Sequence, residues 1–250
     1  MTSPQLKQNN PKEKEWKESI FLRLSYSFLK ATLGTLIRLI WVKKVEGLEN
    51  IPKKGSVIIA FNHQSIFDFL CFIPILPRHI HYLSAEKFFS HPVWTPLVKM
   101  TGQIKVDRVS RDKSISHQTL YKYLANNKVI GIYPEGTRSP FEKEMLYAFT
   151  GVAKYAINAQ VPVIPVGIKG TYEIMSRHDK KPKFKKLATF HIGKPIDFTK
   201  YQSANLNKKA YRVLTDRIMM EISKLSGKTY PYYGKFKTKK PKKTTVETKW

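Results

Sequence analysis

From Val45 onward short apolar runs alternate with longer stretches of helical periodicity, and this alternation restricts the fold more than any other feature of the chain. Ser56–Phe61, Ile80–Ser84, Gln103–Val106, Val129–Tyr133 and Val161–Ile168 read as strands. Phe67–Ile73, His91–Met100, Asp112–Asn126 and Met145–Asn158 read as the helices between them. A strand that must wait for a helix before the next strand pairs parallel to it, with helices covering the sheet faces. Leu187–Ile192 adds a strand, and Asn205–Leu225 a closing helix that carries Tyr211, Leu214, Ile218 and Ile222.

Ahead of this pattern, Ser19–Val42 is mostly apolar, with Arg23, Lys30 and Arg38 as its only charges. At 100° per residue these fall within one arc of about 80°, together with Ser27 and Gly34. Ile20, Phe21, Leu22, Leu24, Phe28, Leu29, Leu33, Leu36, Ile37, Leu39 and Ile40 lie on the remaining circumference. A narrow basic stripe on a broad apolar surface fits a helix lying in a membrane interface. A full span is disfavoured, because a basic residue at mid-bilayer costs about 2.5–3.5 kcal/mol. The competing reading is a terminal helix packed on the core, and Gly34 is where the segment would divide in two. The expected class is thus α/β: a mostly parallel central sheet flanked by helices, preceded by an N-terminal membrane-interface helical segment.

The net charge of +27, from 45 basic against 18 acidic residues, demands an anionic partner. Nucleic acid is one class, but the charge clusters outside the motif-bearing segments and no zinc-finger, RNP or GxxG signature is present. The clusters are Ser176–Lys186, where only Asp179 offsets Arg177 and five lysines, and Gly234–Lys243, with six lysines in ten residues. Such clusters beside a membrane-binding helix gain about 1 kcal/mol per basic residue near an anionic leaflet. The single cysteine, Cys71, excludes an internal disulfide and sits in an apolar run, as a buried structural thiol would.

The chemistry is concentrated at strand ends. His63 and Asp68 follow the first strand, five residues apart. In a regular helix their side chains would diverge by about 140°. They meet only if His63 lies in the preceding turn and Asp68 in the first helical turn, with Ser65 as the expected N-cap. Asp68 would then fix the histidine tautomer and stabilise the imidazolium formed on proton uptake. Gly136, Thr137 and Arg138 follow another strand, with Pro134 fixing the exit. Arg138 and Arg108, at corresponding strand ends, would make a phosphate pocket beside that base. Taken singly, each has a structural reading: a satisfied histidine, or a surface ion pair such as Arg108 with Asp107.

Four blocks in order resemble the glycerolipid acyltransferase family, the 1-acylglycerol-3-phosphate acyltransferases and their relatives. Asn62–Asp68 is similar to its His-x4-Asp block, Gly102–Arg108 to its second, Tyr133–Ser139 to its Phe-Pro-Glu-Gly-Thr-Arg-Ser block and Val161–Val166 to its fourth. The resemblance implies His63 as general base, Asp68 as its orienting carboxylate, Arg108 and Arg138 on the acceptor phosphate, and Glu135 with Gly136 and Thr137 placing the glycerol. It implies an acyl-ACP or acyl-CoA donor and a lysophospholipid acceptor, while the apolar segment and the basic clusters point to an anionic membrane surface, expected on the cytoplasmic face. Neither a cofactor nor a metal nor nucleic acid is expected. The alternative acceptors are another lysophospholipid or an aminolipid. Three departures stand out: Tyr133 for phenylalanine, Lys105 for an apolar residue, and Ala148-Phe149-Thr150-Gly151 where the family often has Phe-Lys-x-Gly. The chain then divides into a polar arm at 1–14, a membrane-associating segment at 15–44, an acyltransferase domain at 45–227 and a basic tail at 228–250.

Overall fold

The computed structural model describes residues 19–106, 114–201 and 206–235. Seven strands form one sheet: β1 Val42–Glu46, β2 Val57–Phe61, β3 Ile80–Ala85, β4 Ile104–Val106, β5 Val129–Ile132, β6 Val163–Lys169 and β7 Ala188–Ile192, in the order β1-β7-β6-β2-β5-β3-β4. The pairings are parallel except that of β6 with β7. Strand β2 lies at the centre, with Ile58 level with both Ile130 and Val163. Every residue of β2 and of β5 is buried, which is why these runs are apolar without alternation.

Successive β2 residues enter different cores. Val57, Ile59 and Phe61 pack with Phe72, Leu76 and Trp41, beneath α2 (Thr35–Trp41) and α3 (Phe67–Phe72). Ile58 and Ala60 pack with Leu120, Ala153 and Ile218, beneath α5 (Ser114–Ala125), α6 (Gly151–Ala159) and α8 (Lys208–Ser226). The period-2 alternation of a strand thus feeds two helical layers. Two short helices, α4 (Trp94–Met100) and α7 (Thr171–Ile174), complete the set.

The N-terminal segment is one helical run from Ile20 to Trp41, long and apolar enough to cross a bilayer. It consists of α1 (Ile20–Leu29), a π-helical turn at Lys30–Gly34, and α2. One side of this run packs on the domain and the other is apolar and exposed. The inner side docks on the domain: Tyr26 stacks on His79 with ring centroids 3.6 Å apart, Ser25 Oγ donates to Met100 O at 3.1 Å, and Lys30 Nζ donates to Leu76 O. Gly34 lies against Pro74, where a Cβ would come within 3.2 Å of the proline Cβ. On the other side Ile20, Phe21, Leu24, Phe28, Leu36 and Leu39 are exposed. The π turn takes up one extra residue, which returns Leu36 and Leu39 to the face of Ile20 and Leu24.

Several boundaries differ from those the sequence suggests. The helix ends at Trp41 and the sheet begins at Val42, so the domain starts before Val45. Met145–Thr150 is not helical. The Met145 N–H donates to Thr229 O, Leu146 N–H to the Glu135 carboxylate and Phe149 N–H to Pro134 O, so helix formation waits until Gly151. Lys228 and Tyr230 are not tail but buried parts of the domain, with Thr229 bridged to Glu144. The arm at 1–14, Arg108 and most of the lysine-rich Gly234–Lys243 lie outside the described residues.

Candidate active site

The turn between β2 and α3 carries the first block. Nδ1 of His63 lies 2.8 Å from Oδ2 of Asp68. The same oxygen accepts the N–H groups of Gln64 at 2.8 Å and Ser65 at 3.0 Å. Ser65 Oγ accepts the Phe67 N–H at 3.1 Å from one residue before the N-cap, which is Ile66 and not the expected Ser65, so serine and aspartate together fix the turn into the helix. Helix onset and His-Asp pairing are therefore one structure, and they reconcile the five-residue spacing. Asp68 is fully buried, and the His63 side chain keeps 16 % exposure. The imidazole also stacks on Tyr133, centroids 4.0 Å apart and tilted 23°. With Nδ1 on Asp68, Nε2 is the nitrogen left to meet a hydroxyl.

The turn after β5 carries the third block and is bonded directly to the first. His63 N–H donates to Glu135 Oε1 at 2.7 Å, Leu146 N–H to Glu135 Oε2 at 2.7 Å, and Ser139 N–H to His63 O at 2.7 Å. Glu135 is 2 % exposed, and its burial pushes the carboxyl up to about 8 against the pull of these two amides. The resemblance put Glu135 against the glycerol; here it is a buried clamp, because both oxygens already hold backbone amides around His63. Gly136 has φ +69°, a conformation that favours glycine, and the exposed Phe149 ring lies where a Cβ would sit. Thr137 is exposed beside it. Arg138 is partly buried, and burial followed by the nearby Arg177 guanidinium lowers its pKa while Asp68 raises it.

The other predicted features fall as follows. Lys105 pairs with Glu86 at 2.6 Å with both side chains about half exposed, the surface-charge reading of that departure. Cys71 is buried, and burial, then Asp68, pushes its thiol far above the usual range, as a structural thiol requires. Among the described residues no group of His, Cys, Asp and Glu could hold a metal.

Three further participants support the site, Gln64 from inside the first block and Lys228 and Arg177 from outside all four. Gln64 Nε2 donates to Phe141 O at 2.6 Å and Glu142 O at 2.7 Å. Lys228 Nζ donates to the same Glu142 carbonyl at 2.6 Å, bringing the C-terminal return to the back of the His63 turn. Arg177 Nη1 donates to Arg138 O at 3.2 Å. The sequence showed Gln64 within a block, Lys228 at the start of the basic tail and Arg177 in a basic run, but nothing there linked Arg177 to residue 138.

Fold and geometry define the class: an α/β enzyme with a carboxylate-backed histidine where parallel strands give way to helices. A family model described as Acyltransferase matches residues 43–169, just over half of the chain, and the chain belongs to this family. It is 27 % identical over 207 residues to a 1-acyl-sn-glycerol-3-phosphate acyltransferase of Bacillus subtilis, covering 81 % of this chain and 98 % of that one. Identity is 30 % over 151 residues to the Borreliella burgdorferi protein of the same name, covering 60 % of each chain. The fold is similar to the crystal structure of the 1-acyl-sn-glycerophosphate (LPA) acyltransferase, PlsC, from Thermotoga maritima, with a TM-score of 0.65 at 21 % identity over 83 % of this chain and 82 % of that one.

Proposed function

We propose that the protein moves a fatty acyl group from an acyl thioester to the free hydroxyl of 1-acyl-glycerol-3-phosphate, giving phosphatidic acid for phospholipid synthesis. The observation that carries this is the His63–Asp68 pair at 2.8 Å, seated at the strand ends with one ring edge accessible. His63 Nε2 takes the proton of the acceptor hydroxyl while that oxygen attacks the thioester carbonyl. The tetrahedral intermediate collapses, the C–S bond breaks, and the imidazolium returns the proton to the leaving thiolate. Asp68 holds the ring and offsets its transient charge. Arg138, with Arg108, binds the acceptor phosphate. The names of the Bacillus subtilis and Borreliella burgdorferi relatives support the acceptor assignment. The protein acts on the cytoplasmic face of a membrane, and the exposed apolar face of the Ile20–Trp41 helix supports the membrane attachment.

The test is acyl transfer by purified protein in mixed micelles, with a panel of lysophospholipids and with acyl-ACP and acyl-CoA as donors. Turnover should be fastest with 1-acyl-glycerol-3-phosphate. Faster turnover with a lysophospholipid bearing a larger head group would replace this acceptor.

A further inference from the structure

The basic loop that follows α7 is fastened to the candidate site at two points. Ser65 Oγ, two residues from His63, donates to Met175 O at 2.6 Å. Two residues beyond Met175, the Arg177 guanidinium donates to Arg138 O at 3.2 Å. Ser139, next in the chain, donates its N–H to His63 O. Arg177 is therefore held on both sides by the framework that holds the histidine. The turn itself is fixed by Asp179, whose Oδ2 accepts the Ser176 N–H at 2.7 Å. Asp179 is the only carboxylate between Ser176 and Lys186, and it is engaged in that turn. None of the described ion pairs includes Arg177. Two arginines are thus joined at one edge of the site, and Arg138 feels both the Arg177 guanidinium and the Asp68 carboxylate. A phosphate monoester, with up to two charges and three acceptor oxygens, suits two planar donor forks.

We infer that Arg177 and Arg138 form a paired clamp for the phosphate monoester of the acceptor, so that a residue outside all four blocks selects the head group. The inference rests on the proposed acyl transfer to a phosphate-bearing acceptor, and it adds Arg177 as a binding residue. The same chemistry exists on coenzyme A, whose ribose carries a phosphate monoester, so the test separates the two sources. Arg177→Gln and Arg177→Lys are compared with wild type as full-length proteins, with thermal unfolding to establish that both fold. In Arg177→Gln, KM for 1-acyl-glycerol-3-phosphate should rise about tenfold or more, while KM for acyl-CoA and for acyl-ACP stays within about twofold. Arg177→Lys, which keeps the charge but not the fork, should fall between. With a monoacylglycerol acceptor, which lacks phosphate, wild type and Arg177→Gln should be equally slow. Glycerol 3-phosphate binding by calorimetry, which needs no turnover, should weaken to a similar degree. A KM rise for acyl-CoA but not for acyl-ACP would move the clamp to the donor and overturn the assignment. An equal defect on phosphate-bearing and phosphate-free acceptors would also overturn it. If wild type fails to acylate 1-acyl-glycerol-3-phosphate yet glycerol 3-phosphate binding weakens in Arg177→Gln, the proposed acceptor is wrong and the phosphate clamp stands.

Discussion

Asp68 presents one oxygen to three N–H groups: those of Gln64 and Ser65 and, through Nδ1, that of His63. An asparagine can place its own oxygen there and keep all three bonds, losing the negative charge and setting its amide NH2 where the buried Oδ1 has no partner, at a cost of about 1–3 kcal/mol in stability. Asp68→Asn should therefore retain the fold and lower kcat about 10²-fold or more, because the imidazolium formed in the transition state loses its counter-charge. His63→Ala should lower it at least as far, about 10²–10⁴-fold, the usual worth of a general base. Steady-state rates with circular dichroism as a fold control check both, and near wild-type turnover in His63→Ala would sink the mechanism. His81 makes a different prediction. It is fully buried, donates Nδ1–H to Gly102 O at 2.7 Å, and is lowered to about 3, first by burial and then by His79. The unfolded chain takes up this proton near the ordinary value of about 6.5, and the folded protein only near 3. Its contribution is thus fully present above pH 6.5 and is lost as pH falls toward 3, about 2 kcal/mol by pH 5. His81→Asn, which keeps a donor near Nδ1, should flatten the stability profile between pH 6.5 and 5. An unchanged profile in urea titrations would show that other groups set it.

Elements in this fold meet where side chains are missing. Gly167 in β6 faces the backbone of α8, and a Cβ there would lie 2.3 Å from Ser226 N and 2.4 Å from the Leu225 carbonyl carbon. Backbone cannot swing aside as a flexible side chain can. Gly167→Ala should cost about 3 kcal/mol or more by parting β6 from α8, the upper end for overpacking. Chemical denaturation measures this, and a cost below about 1 kcal/mol would mean that the helix end yields easily. The same interplay explains what could be read from the chain. Strands β2, β5 and β6 are buried on both faces, so their apolar runs announce them. Strand β1, Val42-Lys43-Lys44-Val45-Glu46, is a half-exposed edge whose charges hide it. The helix expected from Met145 starts instead at Gly151, because Thr229, Glu135 and Pro134 take the amides that a helix would use. Those partners come from distant parts of the chain, and local periodicity does not report them. The His63–Asp68 pair was legible because its parts lie within six residues. Arg177 was not, since its link to Arg138 spans 39 positions.

Over the whole molecule, the apolar face of the N-terminal helix and the basic loop meet at one joint. Trp41 Nε1–H donates to Lys183 O at 2.9 Å, and the Trp41 ring lies 5.4 Å from that of Phe184, itself 73 % exposed. The loop that carries Arg177 is therefore tied to the end of the helix proposed to enter the bilayer. Ile20, Leu24, Phe28 and Leu39 are each 64–72 % exposed, an arrangement that water disfavours and a lipid interface rewards. If each contributes about 1 kcal/mol or more on insertion, replacing all four with glutamine should weaken vesicle binding by about 10³-fold. These side chains make little contact with the domain, so its unfolding transition should hardly move. Replacing Lys180, Lys181, Lys183, Lys185 and Lys186 with glutamine should act differently, lowering affinity only for anionic vesicles. Salt should mimic that change, since exposed charges are screened over about 8 Å at physiological ionic strength. Sedimentation with neutral and anionic vesicles separates the two contributions. If the fourfold glutamine variant binds neutral vesicles as wild type does, the helix is not the anchor. If the lysine replacements weaken binding equally on both vesicle types, the loop acts through packing on Trp41 rather than through its charge.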